Sequence, residues 1–230
     1  MTTIEFDGRW HITGHLNGGY LAAVCGQVAS EALGGAAPFT ISTHYLAPAR
    51  GAGPADVEVE VLREGRLSTA RVRLSREGTT LLESLVTTGT PKAHAALRED
   101  ATPPDIPTWA DLPSADTTPF SAQEGNDVLR HVDLRLDPDD AAAISGGAPL
   151  DRAVARGRMV YRDGSPADLF LASAAWDLLP PTPWFVHIWT GAPTVASQLV
   201  LYPGEIQGPL ILEARAETIQ ARTDEVEGLA

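Results

Sequence analysis

The chain repeats itself, and the repeat limits what it can fold into. Residues 48–54 read Pro-Ala-Arg-Gly-Ala-Gly-Pro and lead into VEVEVLREGR. Residues 203–209 read Pro-Gly-Glu-Ile-Gln-Gly-Pro and lead into LILEARAETIQ. In each copy a Pro is followed five residues later by a Gly-Pro that launches an alternating segment, so Pro48, Gly53 and Pro54 superpose on Pro203, Gly208 and Pro209. A repeat of this size reads as one architecture used twice. After Pro54 the pattern predicts a strand, a turn at Gly65, a strand, a turn at Gly78, and a third strand ending near Thr88. The second copy reaches Ala230 at the position of Ser75, so two strands are expected there and no counterpart of Leu81–Thr88.

The first half reads as one buried helix and a curved antiparallel sheet. In 18–33, Leu21, Val24, Cys25, Val28 and Ala32 recur at helical spacing, with Asn17 as N-cap and Gly34-Gly35 as the stop. The opposite face (Ala22, Ala23, Gly26, Ala29) is also poor in charge, as expected of a helix buried nearly all round. Strands are predicted at 40–46, 55–63, 67–76 and 81–88. In the second of these, Val57, Val59 and Val61 alternate with Asp56, Glu58 and Glu60. The short Gly turns between them imply an antiparallel meander wrapped on the helix, an α+β unit.

Prolines at 91, 103, 104, 107, 113 and 119 mark 93–125 as a surface linker between an N-terminal unit, 1–92, and a C-terminal unit, 126–230. The second unit is predicted to open with a strand at 128–136. Residues 137–155 read as helical or irregular, and Arg158–Tyr161 as a short segment. A helix is predicted at 166–179, with Ser165 as cap, Pro166 at its first position, Asp168 completing a capping-box-like start, and Pro180-Pro181 as stop. A strand at 195–202 leads into the second repeat signature.

Composition narrows the function classes. The chain has 230 residues, 43% apolar and 20% charged, as in soluble domains, and a net charge of −13. That charge argues against nucleic acid and anionic membranes as partners. A lone cysteine, Cys25, excludes an intramolecular disulfide and suggests a reducing, cytoplasmic setting. No apolar run approaches the ~18 residues of a membrane span, and MTTIEFDG lacks the features of a signal peptide.

Four segments carry a resemblance. HLNGGYL at 15–21, STHYLAP at 42–48, VEVEVLREGR at 57–66 and WDLLPPTP at 176–183, in that order and spacing, resemble the acyl-CoA thioesterase II-like proteins of actinobacteria. The resemblance implies a double hotdog, in which two hotdog units of one chain pack side by side and their sheets form one surface. It also implies hydrolysis of acyl-CoA or acyl-carrier thioesters, with no cofactor and no metal. The family's catalytic set is an Asp late in the second helix, a Thr at the start of the next strand, and a Gln on the last strand. The first falls on Asp177, and the second on Thr194 with Ser197 as the alternative. The third falls on nothing, because the sequence ends first. A sheet without its last strand exposes an edge that invites pairing, so a homo-oligomer is expected. The alternative of a different class is a non-catalytic acyl-binding or assembly protein.

The residues themselves bear on these roles. Asp177 is predicted near the C-terminal end of its helix, where the dipole disfavours a carboxylate, among apolar Trp176, Leu178 and Leu179 that would raise its pKa. Such a group is suited to take a proton from an attacking water. Asn17, Gly18, Gly19 and Ser197 are substrate-binding candidates: at the first three, free N–H groups at a helix N-terminus suit an anion, while two glycines equally suit close packing of the helix. His15, His44 and His187 lack the spacing of a zinc site. Cys25 reads as a packed thiol, and no GxSxG elbow is present. Arg63, Arg66, Arg71, Arg73 and Arg76 read as a solvated strand face, with coenzyme A phosphates as the sharper alternative.

Overall fold

The computed structural model describes residues 2–89, 102–123, 125–189, 191, 193–202 and 206–220. The chain opens with β1 (Thr2–Phe6), a short ribbon of β2 (His11–Ile12) and β3 (His15–Leu16), and α1 (Gly18–Ala32). Four strands follow: β4 (Pro38–Tyr45), β5 (Gly53–Arg63), β6 (Leu67–Arg76) and β7 (Thr79–Gly89). The second half contains α2 (Val128–His131), β8 (Val132–Leu136), α3 (Pro138–Ile144), β9 (Val154–Tyr161), α4 (Leu169–Ala175), β10 (Ala196–Val200) and β11 (Leu210–Arg215).

The predicted meander is present: β5, β6 and β7 pair antiparallel in sequence order. Period-two alternation sends Val57, Val72, Leu74, Leu82 and Val86 inward against α1. The outward arginines are spent on neighbours. Arg71 bonds Glu60 at 2.8 Å, Arg73 bonds Glu58 at 3.0 Å and Glu83 at 2.7 Å. Arg76 donates to the carbonyls of Arg50, Gly51, Gly53 and Pro54, clamping the turn of the first repeat signature.

The two halves share a sheet. Its order is β1-β5-β6-β7-β4-β10, so a strand of the second half closes the sheet of the first, while β11-β9-β8 form a second sheet. The register carries the repeat. The 155-residue offset that takes Pro48 to Pro203 takes Ser42 and Thr43 to Ser197 and Gln198. Across the β4–β10 pair Ser42 faces Gln198 and Thr43 faces Ser197, so each residue faces the counterpart of its neighbour. This is the self-complementary pairing of a two-fold interface, here inside one chain. The same offset turns the β1–β5 pairs Thr2–Val57 and Ile4–Ala55 into the β9–β11 pairs Gly157–Leu212 and Met159–Leu210.

Several expectations are corrected. Residues 128–131 form a helical turn, α2, instead of the start of a strand. The turn buries both Val128 and Leu129 before the alternation of Val132, Leu134 and Leu136 begins. The helix expected at 166–179 is shorter. Asp168 is its N-cap, accepting from the N–H of Leu171 at 2.8 Å, whereas the N–H of Ser165 is tied to Asp163. The segment Arg158–Tyr161 is the end of the longer β9. The described part of the proline-rich segment runs along the surface, as expected, but also inserts Ile106, Leu112, Ala115 and Phe120 into the interior. Residues 90–101 of that segment, and the second strand expected after Pro209 where it passes residue 220, fall outside the described residues.

Candidate active site

The start of α1 and the end of α4 meet. Asn17 caps α1, its Oδ1 accepting from the Tyr20 N–H at 2.8 Å. Its amide Nδ2 points the other way and donates to the Asp177 backbone carbonyl at 2.7 Å and to Asp177 Oδ2 at 2.9 Å. The N–H groups of Gly18 and Gly19 donate to the same Oδ2 at 2.8 and 3.2 Å. Oδ2 therefore takes three donors, and Oδ1 takes none among the described residues.

The sequence NGG makes this contact possible. A Cβ on Gly19 would overlap the carbonyl oxygen of Ala174, so only glycine lets α1 come this close to α4. The close-packing reading of the two glycines is seen, and the N–H groups expected to be free for a substrate are taken by the Asp177 carboxylate. The dipole argument changes sign. Asp177 follows the end of α4 but faces the N-terminus of α1, where a negative charge is favoured. Burial still dominates and pushes its pKa up from 3.8 to about 6, with the N–H groups of Gly19 and Gly18 pulling it back down.

Asp177 opens on a cavity of about 800 Å³ between the halves. Thr194 lines the same cavity, as do Asn17 and Gly18, with apolar walls that include Leu21, Phe120, Trp176 and Trp184. Ser197 stands behind the wall on β10, its Oγ 3.3 Å from the hydroxyl of Tyr45.

Two residues escaped the sequence reading. Tyr45 lines the cavity and donates its hydroxyl to the Gly18 carbonyl at 2.7 Å. Its inward face was readable, since it continues the alternation of Ile41 and Thr43, both buried. Phe120 packs its ring edge-on to Trp184 at 6.3 Å between centroids. It lies in the proline-rich segment, where no periodicity signals burial.

The Cys25 thiol is buried beside Ser84, and its pKa is pushed up to about 12 by desolvation, which leaves it a poor nucleophile. His15 bonds the Thr13 carbonyl at 3.1 Å. Among the described residues no group of three His, Cys, Asp or Glu side chains gathers where it could hold a metal ion. No helix among them is long and apolar enough to cross a membrane.

Comparison with known proteins bears on the family and the fold. Residues 6–90 match the sequence family described as the acyl-CoA thioesterase N-terminal domain. A crystal structure of a candidate thioesterase II from Thermobifida fusca YX is 30% identical over 94% of this chain and 82% of its own, with a TM-score of 0.80. A candidate thioesterase from Novosphingobium aromaticivorans shares the fold at 22% identity, over 95% of this chain and 84% of its own, with a TM-score of 0.77. So does a hot dog-fold protein of unknown function from Alicyclobacillus acidocaldarius, at 19% identity, over 95% and 82% of the two chains, with a TM-score of 0.78. No curated protein matches the chain.

Proposed function

The chain belongs to the thioesterase II-like family of hotdog proteins, and on that premise we propose that it hydrolyses acyl-CoA or acyl-carrier thioesters with Asp177 as the base. The observation that carries this reading is the Asp177 carboxylate at the wall of an apolar cavity, fixed through Oδ2 with Oδ1 left free to accept. A water between Oδ1 and the thioester carbonyl loses its proton to Asp177 as its oxygen attacks the carbonyl carbon. The tetrahedral intermediate then collapses with cleavage of the C–S bond. Asp177 returns the proton to the departing sulfur, so the products are a free acid and a thiol. We assign Thr194 the second contact to that water, because it lines the same cavity at the entrance to β10.

We read the fold as two hotdog units in one chain. The two-fold register of β4 on β10 supports this, as does the shared offset of the β1–β5 and β9–β11 pairs. The acyl chain would occupy the cavity between the units.

The test is free-thiol release from acyl-CoAs of increasing chain length, wild type beside Asp177→Asn. Asparagine keeps the acceptor for the three donors and removes the base. Release by wild type that falls by about 10²–10⁴-fold in the variant is expected. Absence of release from a folded wild type would leave the acyl-binding alternative.

A further inference from the structure

We propose that Tyr45 is a positioning residue for this reaction: its hydroxyl sets the Gly18–Gly19 peptide, whose N–H holds the Asp177 carboxylate. The proposal rests on the reading of Asp177 as the base. Tyr45 donates to the carbonyl oxygen of Gly18 at 2.7 Å. The N–H of Gly19 belongs to the same peptide unit and, in a planar trans peptide, points the opposite way. It donates to Asp177 Oδ2 at 3.2 Å. A hydrogen bond at the oxygen of a peptide polarises the whole unit and makes its N–H a better donor. The phenol thus acts on the carboxylate through a single peptide plane.

Tyr45 is itself held in place. Its one proton goes to Gly18, so the contact of 3.3 Å with Ser197 is a bond donated by the serine hydroxyl. Ser197 lies on β10 and its counterpart residue Ser42 on β4, both directly flanking the two-fold centre. A Cβ on Gly18 would lie 3.0 Å from Asp177 Oδ2 and touch the Tyr45 ring at 3.4 Å, so the bare glycine gives the carboxylate its approach beside the phenol. Burial raises the phenol's pKa well above its usual value and keeps it a donor.

The other side of the two-fold lacks this device. The 155-residue offset takes Tyr45 to Val200, which carries no hydroxyl and lines a second cavity of about 580 Å³. The carboxylate there, Asp168, accepts from the N–H of Leu171 and the hydroxyl of Tyr161, both on Oδ1. A phenol needed only to join β4 to β10 would be as useful at Val200.

The titratable groups around Asp177 are few. Tyr45 on β4 and His15 on β3 line its cavity, Tyr20 follows on α1, and the Cys25 thiol of α1 stands near Tyr45. The α4 sequence LFLASAA carries no charge.

The experiment is a carboxyl-carbon NMR titration of Asp177, with its resonance assigned by Asp177→Asn, in wild type, Tyr45→Phe and Ser197→Ala. Steady-state kinetics of the same proteins accompany it. Losing the polarised donor disfavours the carboxylate, so the Asp177 midpoint moves to higher pH in Tyr45→Phe, and by less in Ser197→Ala. In Tyr45→Phe kcat falls by about two- to tenfold, the size of one neutral hydrogen bond, with KM little changed. The acid limb of its pH profile follows the NMR midpoint. An unchanged midpoint overturns the proposal, whether or not kcat falls, because a purely structural tyrosine would not move it. The titration needs no turnover. A wild type that releases no thiol would therefore sink the hydrolase reading by itself, while the NMR shift still decides the link from Tyr45 to Asp177.

Discussion

Asp177 Oδ2 lies 2.8 Å from the backbone nitrogen of Gly18, although 159 residues separate them in the chain. The contact joins the end of one helix to the start of another and places a carboxylate where a helix N-terminus welcomes it. Hydrogen bonding and desolvation act on this carboxylate in opposite directions, and desolvation prevails.

That balance sets a pH dependence of stability. The folded pKa of Asp177 is raised from 3.8 to about 6, so between these values the folded state binds more protons than the unfolded state. Stability contributed by the protonated acid is fully present below about pH 4 and is lost as pH rises through about 6. At pH 8 the carboxylate costs on the order of 3 kcal/mol. Urea unfolding is expected to find Asp177→Asn more stable than wild type at pH 8, with the gap closing near pH 4. A gap that widens on acidification would contradict the raised pKa.

Gly19→Ala tests the approach of the helices. The added methyl overlaps the Ala174 carbonyl, which is backbone and cannot rotate away. The helices must part, at a cost of about 1–3 kcal/mol, typical of overpacking. Calorimetry should show a lower Tm, and thiol release should fall as Asp177 loses the donor on Gly19. A variant with unchanged Tm and rate would mean that the close approach is not needed.

Phe120→Ala tests the wall that the proline-rich segment contributes. Phe120 is buried and lines the cavity beside Trp184. Its removal is expected to cost about 3–5 kcal/mol in urea unfolding. It should also shift the preference in kcat/KM towards longer acyl chains. An unshifted chain-length profile in a folded variant would show that the acyl group does not reach this wall.

The first half was legible because local rules agree there with the fold. Val57, Val59 and Val61 alternate, Gly65 and Gly78 turn, and Asn17 caps, each within a few residues of sequence. The second half was less so. Val128 and Leu129 stand just ahead of the alternation that starts at Val132 and read as part of its strand, yet they bury as a helical turn. Ser165 and Asp168 are both good caps. Only the burial of Leu171 and the bond from its N–H to Asp168 chose between them.

The sequence alone determined the repeat, the meander with its helix, and Asp177 as a carboxylate among apolar neighbours. These follow from periodicity, turn chemistry and residue type, which act over short stretches of chain. The tertiary structure decided the rest. It set β10 against β4 in two-fold register, folded Phe120 into a cavity wall, brought Gly18 and Gly19 to the carboxylate, and put the Tyr45 hydroxyl on the peptide between them. Each joins groups tens of residues or more apart, and such contacts are selected by packing and by the pairing of buried polar groups, which no local pattern encodes.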